Sequence, residues 1–456
     1  MKHPFLLLTA ILLLHTTKAQ EHTTDTAGLI HAFRKGSIHG HFRQFFMGTD
    51  NRHGLSDYHA NAVGGGIKYE TAAFKGFKLG VSGFFIYNIF SSDLGKADPA
   101  TNAHNRYEIG LFDMEDPYNK KNIDRLEELY LAYQFKKNTI TFGKQVIKTP
   151  FINPQDSRMR PTEVEGLFAQ LHPASSIKIE SGLLYNISPR STTEWYPASH
   201  TIGIYPQGIN RNGTRGDYKN KLHSKGVFLT GLHFQPDTET HVQAWEYVAE
   251  NIFHTTMLQA EKKFPFPKGR WLAAVQYIRQ DALHDGGNPN PDLTYFDPSN
   301  KVNIFGARTG WEREHTQFTL NYTRITGSGR FTFPREWGTE PLFTYLSRER
   351  NEGYGNVHAV SVLVKKELPR QRLKTELGYG HYYLPPADDF SLNKYGLPAY
   401  NHLKLWADYG FQGSLSGMDI GLLYVHKGLL KEEVAEKYLI NKTALSHYSL
   451  ILNYHF

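Results

Sequence analysis

Between Phe77 and Ile89 the chain alternates apolar and polar positions. Phe77, Leu79, Val81, Gly83, Phe85, Tyr87 and Ile89 fall on one face, and Lys78, Gly80, Ser82, Phe84, Ile86 and Asn88 on the other. A period of two predicts a strand with one apolar side. The run is longer than an ordinary globular strand and suits a tilted membrane strand. The same alternation predicts strands over 37–49, 58–70, 129–135, 139–143, 167–171, 177–187, 227–234, 241–248 and 253–261. It goes on over 271–278, 302–311, 318–323, 358–365, 373–379, 403–409, 418–424 and 445–456. The total is about eighteen, an even number, as single-chain bacterial barrels require. No 20–50-residue repeat points to a propeller or solenoid.

The connections are unequal. Short turns at 136–138 and 173–175 alternate with long polar loops at 91–124 and 188–224. Outer-membrane barrels have this arrangement, with short periplasmic turns and long external loops. No stretch approaches 18 consecutive apolar residues, which excludes a transmembrane helix but not a barrel. In a closed barrel the last strand pairs with the first, because no open edge survives in lipid. That last strand places Tyr448, Leu450, Leu452, Tyr454 and Phe456 on one face and ends on the aromatic, which resembles the signal read by the barrel-assembly machinery. The predicted fold is all-β: a transmembrane antiparallel β-barrel of about 18 strands with inward-folded constriction loops.

Composition agrees with this reading. Aromatics make up 14% of the chain, with 40 glycines and only 6 methionines. A mean hydropathy of −0.49 is compatible with a barrel that hides one face of each strand in lipid. Lys2, the apolar run 5–14 and the small-residue pattern Thr17-Lys18-Ala19 read as a signal peptide over 1–19. Residues 20–35 are then a short periplasmic lead-in with about one helical turn, and 36–456 the barrel. There is no cysteine, so no disulfide or thiol chemistry is expected. Lysine and arginine total 51 against 44 acidic residues, with no dense basic run, so no nucleic-acid partner is expected.

One loop stands out. Residues 148–162, between the strands at 139–143 and 167–171, carry Pro150, Pro154 and Pro161 and are too polar and broken to be either strand or helix. The expectation is that this loop folds into the pore and narrows it with Asp156, Ser157, Arg158 and Arg160. A second basic segment, 333–354, adds Arg335, Arg348 and Arg350, with Glu336, Glu340, Glu349 and Glu352 as acids able to pair with them. Strand parity adds Lys178, Arg308, Lys374 and Lys404 as lumen candidates, and Arg43 from the first strand. Arginine suits such a lumen because its planar fork meets a carboxylate through two bonds and keeps its charge.

Several segments together resemble the OprD-type family of outer-membrane channels. They are GSIHGHFRQFFMGTDN, LSDYHANAVGGGIKYETAAFKGF, TFGKQVIKTPFINPQDSRMRPTEVEG and FTFPREWGTEPLFTYLSRERNEGYG. The resemblance covers most of the mature chain. It implies an eighteen-stranded barrel, inward-folded loops, a row of basic lumen side chains and passive uptake of small carboxylate-bearing solutes. The expected location is the outer membrane of a Gram-negative bacterium. The expected partners are outer-membrane lipid and lipopolysaccharide, the assembly machinery through Phe456, and small solutes. The chain is expected to be a monomer or a homotrimer.

No cofactor or metal is expected. His39 and His41 share a face but lack a third ligand. Gly413-Ser414-Leu415-Ser416-Gly417 places leucine where a hydrolase elbow needs its nucleophile. Gly64-Gly65-Gly66, inside a strand pattern, suggests a bend or close packing. Three rivals are weaker. An enzymatic barrel would need a catalytic constellation, and an energy-coupled receptor a folded plug that 20–35 cannot supply. A secreted glycan-binding β-protein would not keep the alternation of short and long connections.

Overall fold

In a computed structural model, residues 28–155, 158–430 and 434–456 are described. Among them are nineteen strands: β1 (Ser37–Asp50), β2 (Tyr58–Glu70), β3 (Phe77–Ser91), β4 (Arg125–Phe135), β5 (Asn138–Gln145), β6 (Glu163–Ala174) and β7 (Ile177–Ser188); β8 (Tyr196–Pro197), β9 (Val227–Phe234), β10 (Thr240–Ala249), β11 (Phe253–Phe266), β12 (Gly269–Ala282) and β13 (Lys301–Arg313); β14 (Thr316–Ile325), β15 (Val357–Leu368), β16 (Leu373–Tyr383), β17 (Tyr400–Gly410), β18 (Met418–Leu429) and β19 (Leu445–His455). Each strand pairs antiparallel with the next, except that β7 passes to β9, while β8 is a two-residue addition against Asn186 and Ile187. β19 returns to β1 with Phe42 opposite Tyr454, closing an 18-stranded barrel. No helix among the described residues is long and apolar enough to cross a membrane.

The wall follows the alternation read in the sequence. Cross-strand partners share a face. On the outer face Phe85, Tyr87, Val275, Leu320, Leu377, Leu422 and Leu450 are exposed. Aromatics flank this aliphatic band at both levels. Phe77, Phe264, Trp271 and Tyr454 lie near the short turns, and Tyr322, Tyr383 and Tyr448 nearer the long loops. Such girdles sit at the two lipid–water interfaces, where amphipathic rings are stable. The observed strands run several residues past the predicted ends, as at Arg125–Glu127 and Lys262–Phe266. There the polar inner face obscures the pattern.

The interior is not open throughout. The long connections 92–124, 146–162, 189–226, 326–356 and 384–399 fold toward the barrel axis and build a core inside the wall. Phe151 stacks on Phe333 at 4.7 Å between ring centres, beside Phe253 and Trp337. Burying a side chain of this size contributes about 1.5–3 kcal/mol, enough to fix the loop against β10 and β11. Two glycines admit this approach. A Cβ on Gly338 would lie 2.0 Å from the Phe151 carbonyl oxygen. One on Gly64 would lie 3.0 Å from the Met159 methyl, so the triple glycine serves close packing.

Helix α1 (Leu29–Arg34) is the single turn expected in the lead-in, and the Ala72 amide donates to its Ala32 carbonyl. A second short helix, α2 (Ala198–Thr201), and β8 lie inside the loop after β7, which the pattern had read as unstructured. The expected signal peptide lies outside the described residues.

Candidate functional site

Loops from three parts of the chain converge inside the barrel. Loop 146–162 is fastened to loop 326–356 through Asn153. Its amide donates to the Trp337 carbonyl at 3.1 Å, and its side chain exchanges bonds with the Thr339 backbone at 2.9 and 3.0 Å. The two residues that follow Gln155, Asp156 and Ser157, lie outside the described residues. Gln155 has a left-handed backbone, φ 54°, and is clamped from two loops. Arg190 donates to its carbonyl at 2.8 Å, and Arg350 to its side-chain oxygen at 2.6 Å.

Arg158 is the next described residue. Its carbonyl accepts from Arg43 of β1 at 2.7 Å, and Arg43 also donates to Asn453 of β19 at 2.7 Å. Arg43 therefore sits on the inner face and fastens the loop to the seam where the barrel closes. The Arg158 guanidinium lies against Gly110, where a Cβ would stand 2.6 Å from its Nε. Burial, followed by the positive charges of Arg190 and Arg348, pushes Arg158 well below the usual arginine range. Arg348 is likewise lowered to about 10, by burial and then by Arg190. A guanidinium does not readily give up its proton.

Arg348 is held in place by the wall. It donates to His447 Nε2 at 3.0 Å and to the Ser449 hydroxyl at 2.8 Å. With Nε2 accepting, a neutral ring carries its proton on Nδ1, which faces the Thr49 hydroxyl at 2.9 Å. Thr49 in turn donates to Glu108, which is fully buried and also accepts from Asn105 at 2.6 Å. Burial pushes the Glu108 carboxyl up. Arg348 itself has φ 81°, a conformation that costs a non-glycine residue about 1–3 kcal/mol and recurs at functional sites.

The other expected residues divide. Arg160, expected in the constriction, is spent on backbone carbonyls. It is 1% exposed and donates to the carbonyls of Ile123 and Thr192, bracing two loops beside Glu127 at 3.8 Å. Arg335 is paired with Glu352 and stacked 4.0 Å over Tyr395, so its charge is answered locally. Lys178, Arg308, Lys374 and Lys404 all take the inner face of the wall. Lys178 pairs with Glu180 at 3.0 Å, and Lys404 with Glu376. Lys374 lies opposite Asp408, and Arg308 donates to Asn321 at 2.6 Å. Arg190, which neighbours both Arg158 and Arg348, was not singled out by sequence reasoning. Its loop carries no local pattern that marks it.

No group of three or more histidine or acidic side chains suited to a metal occurs among the described residues. His41 stacks on His455 at 4.4 Å instead.

The outer membrane porin family of the OprD type matches residues 36–352. No curated protein matches the chain in sequence. Among solved structures, the chain is similar to Pseudomonas aeruginosa OccK9 (OpdG), with a TM-score of 0.71 at 13% identity over 93% of this chain and 99% of that one. Acinetobacter baumannii OccAB4 gives 0.70 at 15% identity, covering 92% and 98%. Pseudomonas aeruginosa OpdK with vanillate gives 0.71 at 11% identity, covering 93% and 99%. At these identities the structures attest the fold, and the family match carries the function. The closed 18-stranded barrel, its lipid-facing band and its infolded loops agree with that match, and the chain belongs to the OprD family of outer-membrane porins.

Proposed function

We propose that this porin passes small carboxylate-bearing solutes by passive diffusion through a constriction set by Arg158, Arg190 and Arg348. The observation that carries this reading is the convergence of like charges from three loops. For Arg158, neighbouring guanidiniums are the largest influence after burial. A positive field between low-dielectric walls concentrates anions. Binding there has to stay weak enough for the solute to leave. One structural relative was crystallised with vanillate, an aromatic carboxylate, which is consistent with this class of solute. The inner-face lysines, each beside an acid, provide further weak contacts along the wall.

The reading extends to cellular context. The long loops face outward and the short turns face the periplasm. Residues 1–19 direct export, and the last strand, ending at Phe456, is recognised by the assembly machinery. The barrel is a monomer or a homotrimer. The test is the purified protein in a planar bilayer. Vanillate and acetate should interrupt the current in wild type, and neutral sugars of similar size should not. Equal block by carboxylates and neutral sugars would contradict the proposal.

A further inference from the structure

The long loops line a cavity whose walls include none of the three arginines. It has a volume of about 160 Å³ and is lined by segments of 210–218, 291–300 and 330–332, with Lys394. A buried water needs only ~10–15 Å³ of such space, so this cavity is large enough for a small organic molecule.

Its polar lining is unfinished. The Lys394 ammonium, Nη2 of Arg330, and the hydroxyls of Tyr295 and Thr332 have no hydrogen-bond partner among the described residues. All four side chains are more than nine-tenths buried, with Lys394 at 4% and Arg330 at 5% exposure. Buried polar groups are nearly always paired, so four orphans around one cavity point to a missing partner. The rest of each cation is fixed. Lys394 sits 4.7 Å from the ring centre of Tyr295 and 5.1 Å from that of Tyr218. Arg330 donates through its other nitrogens to Ile209 at 2.7 Å and Ser391 at 3.3 Å. Burial lowers Lys394 to about 8, against the raising effect of the Glu352 charge.

The rim narrows the choice of ligand. Asp297 pairs with Arg211 at 3.2 Å, and Asp292 accepts from Asn212 at 2.7 Å. These carboxylates disfavour a doubly charged phosphate but accept hydroxyl donors. The Tyr218 and Tyr295 rings, edge to face at 5.3 Å, offer apolar surface to a carbon chain.

We propose that this cavity is a second binding site, for a small hydroxylated monocarboxylate of sugar-acid type, held before it reaches the constriction. The solute class follows the proposed function, but the site itself does not depend on the constriction arginines.

The test is calorimetric titration of the purified full-length porin with sodium gluconate, glucose and inorganic phosphate as probes. An Arg158→Ala/Arg348→Ala background silences the constriction, and loss of carboxylate block in that background reports on the function separately. Gluconate should bind wild type and that double variant alike. Adding Lys394→Met should weaken binding about ten-fold or more, and Thr332→Val less. Glucose should bind more weakly, and phosphate should not displace gluconate. Lys394→Met replaces a buried ammonium that has no hydrogen-bond partner among the described residues, so its unfolding temperature should hold or rise, which separates binding from folding. If it does not fold, Thr332→Val and Tyr295→Phe decide the matter. The site is overturned if gluconate fails to bind wild type, or if its binding disappears with the constriction arginines. It is equally overturned if these cavity variants leave binding unchanged, or if phosphate displaces gluconate at equal concentration.

Discussion

Two sets of arginines lie in the infolded loops and at the strand end beside them, and they behave differently. Arg106, Arg125 and Arg335 each meet a carboxylate: Glu349 at 3.0 Å, Glu127 at 2.9 Å, and Glu352. Charge pushes Arg106 and Arg335 above the usual range, against the opposing effect of burial. Arg158 and Arg348 are pushed down, by burial first and then by Arg190. The segment Arg348-Glu349-Arg350 contains both behaviours in consecutive residues. Glu349 turns away to Arg106 and Lys427, at 3.0 Å each, while Arg348 reaches the wall at His447 and Arg350 reaches Gln155. The number of basic residues in a lumen therefore says little about its field. Their arrangement decides which of them face a carboxylate and which face one another.

The sharpest way to break this contrast is to remove the acid from the neutralised set. Glu349→Gln leaves the half-buried Arg106 and the fully buried Lys427 without their carboxylate. Breaking a buried pair in this way costs about 3–5 kcal/mol. Urea unfolding of the barrel in lipid, or protease sensitivity of loop 326–356, should register the loss. Wild-type-like resistance would mean that the pairing contributes little.

A smaller effect should appear with pH. Glu340 is raised to about 7, by burial above all, although it accepts from the Asn351 and Glu352 amides at 2.7 and 2.9 Å. An acid whose folded pKa is raised contributes stability that is complete below its ordinary value of 4.5 and is lost as pH rises through about 7. Loop 326–356 should therefore become more protease-sensitive between pH 5 and pH 8. Glu340→Gln should remove that trend, and an unchanged trend in the variant would assign it to another group.

Arg43 sharpens the comparison from the wall side. Arg43→Met removes the donor to the Arg158 carbonyl and should loosen the constriction by about 1.5–3 kcal/mol, the range for hydrogen bonds to charged groups. Single-channel recordings should show noisier open states with nearly unchanged selectivity. A selectivity change as large as that of Arg158→Ala would make Arg43 a lining charge rather than a fastening. The least effect is expected at Lys404, paired with Glu376 on the inner wall. Lys404→Met should shift carboxylate block by less than about two-fold, since partly exposed pairs contribute about 0–1 kcal/mol. A larger shift would place that lysine in the solute's path.

The wall was legible because lipid enforces a strict rule. Phe77 through Ile89 alternate since one face of β3 meets hydrocarbon, and the same rule fixed the inner face of Lys178, Lys374 and Lys404. It failed where strands rise beyond the lipid, as at Arg125 and Glu127, whose charges hid the start of β4. The loops obey no such period. Loop 146–162 stood out by its prolines, yet sequence could not tell Arg158, set among like charges, from Arg160, spent on the Ile123 and Thr192 carbonyls. Arg190 went unnoticed because its neighbours Arg158 and Arg348 come from other loops, and only the folded chain brings them together.

The central claim is that Arg158, Arg190 and Arg348 set the field of the pore, and reversal potential across a salt gradient tests it most directly. Wild type should prefer anions, and Arg158→Ala/Arg348→Ala should shift toward cations. Its carboxylate block should weaken by roughly ten-fold or more, the equivalent of one charge-assisted contact of about 1.5–3 kcal/mol. Identical reversal potentials for the two proteins, both correctly folded, would show that these arginines do not govern permeation.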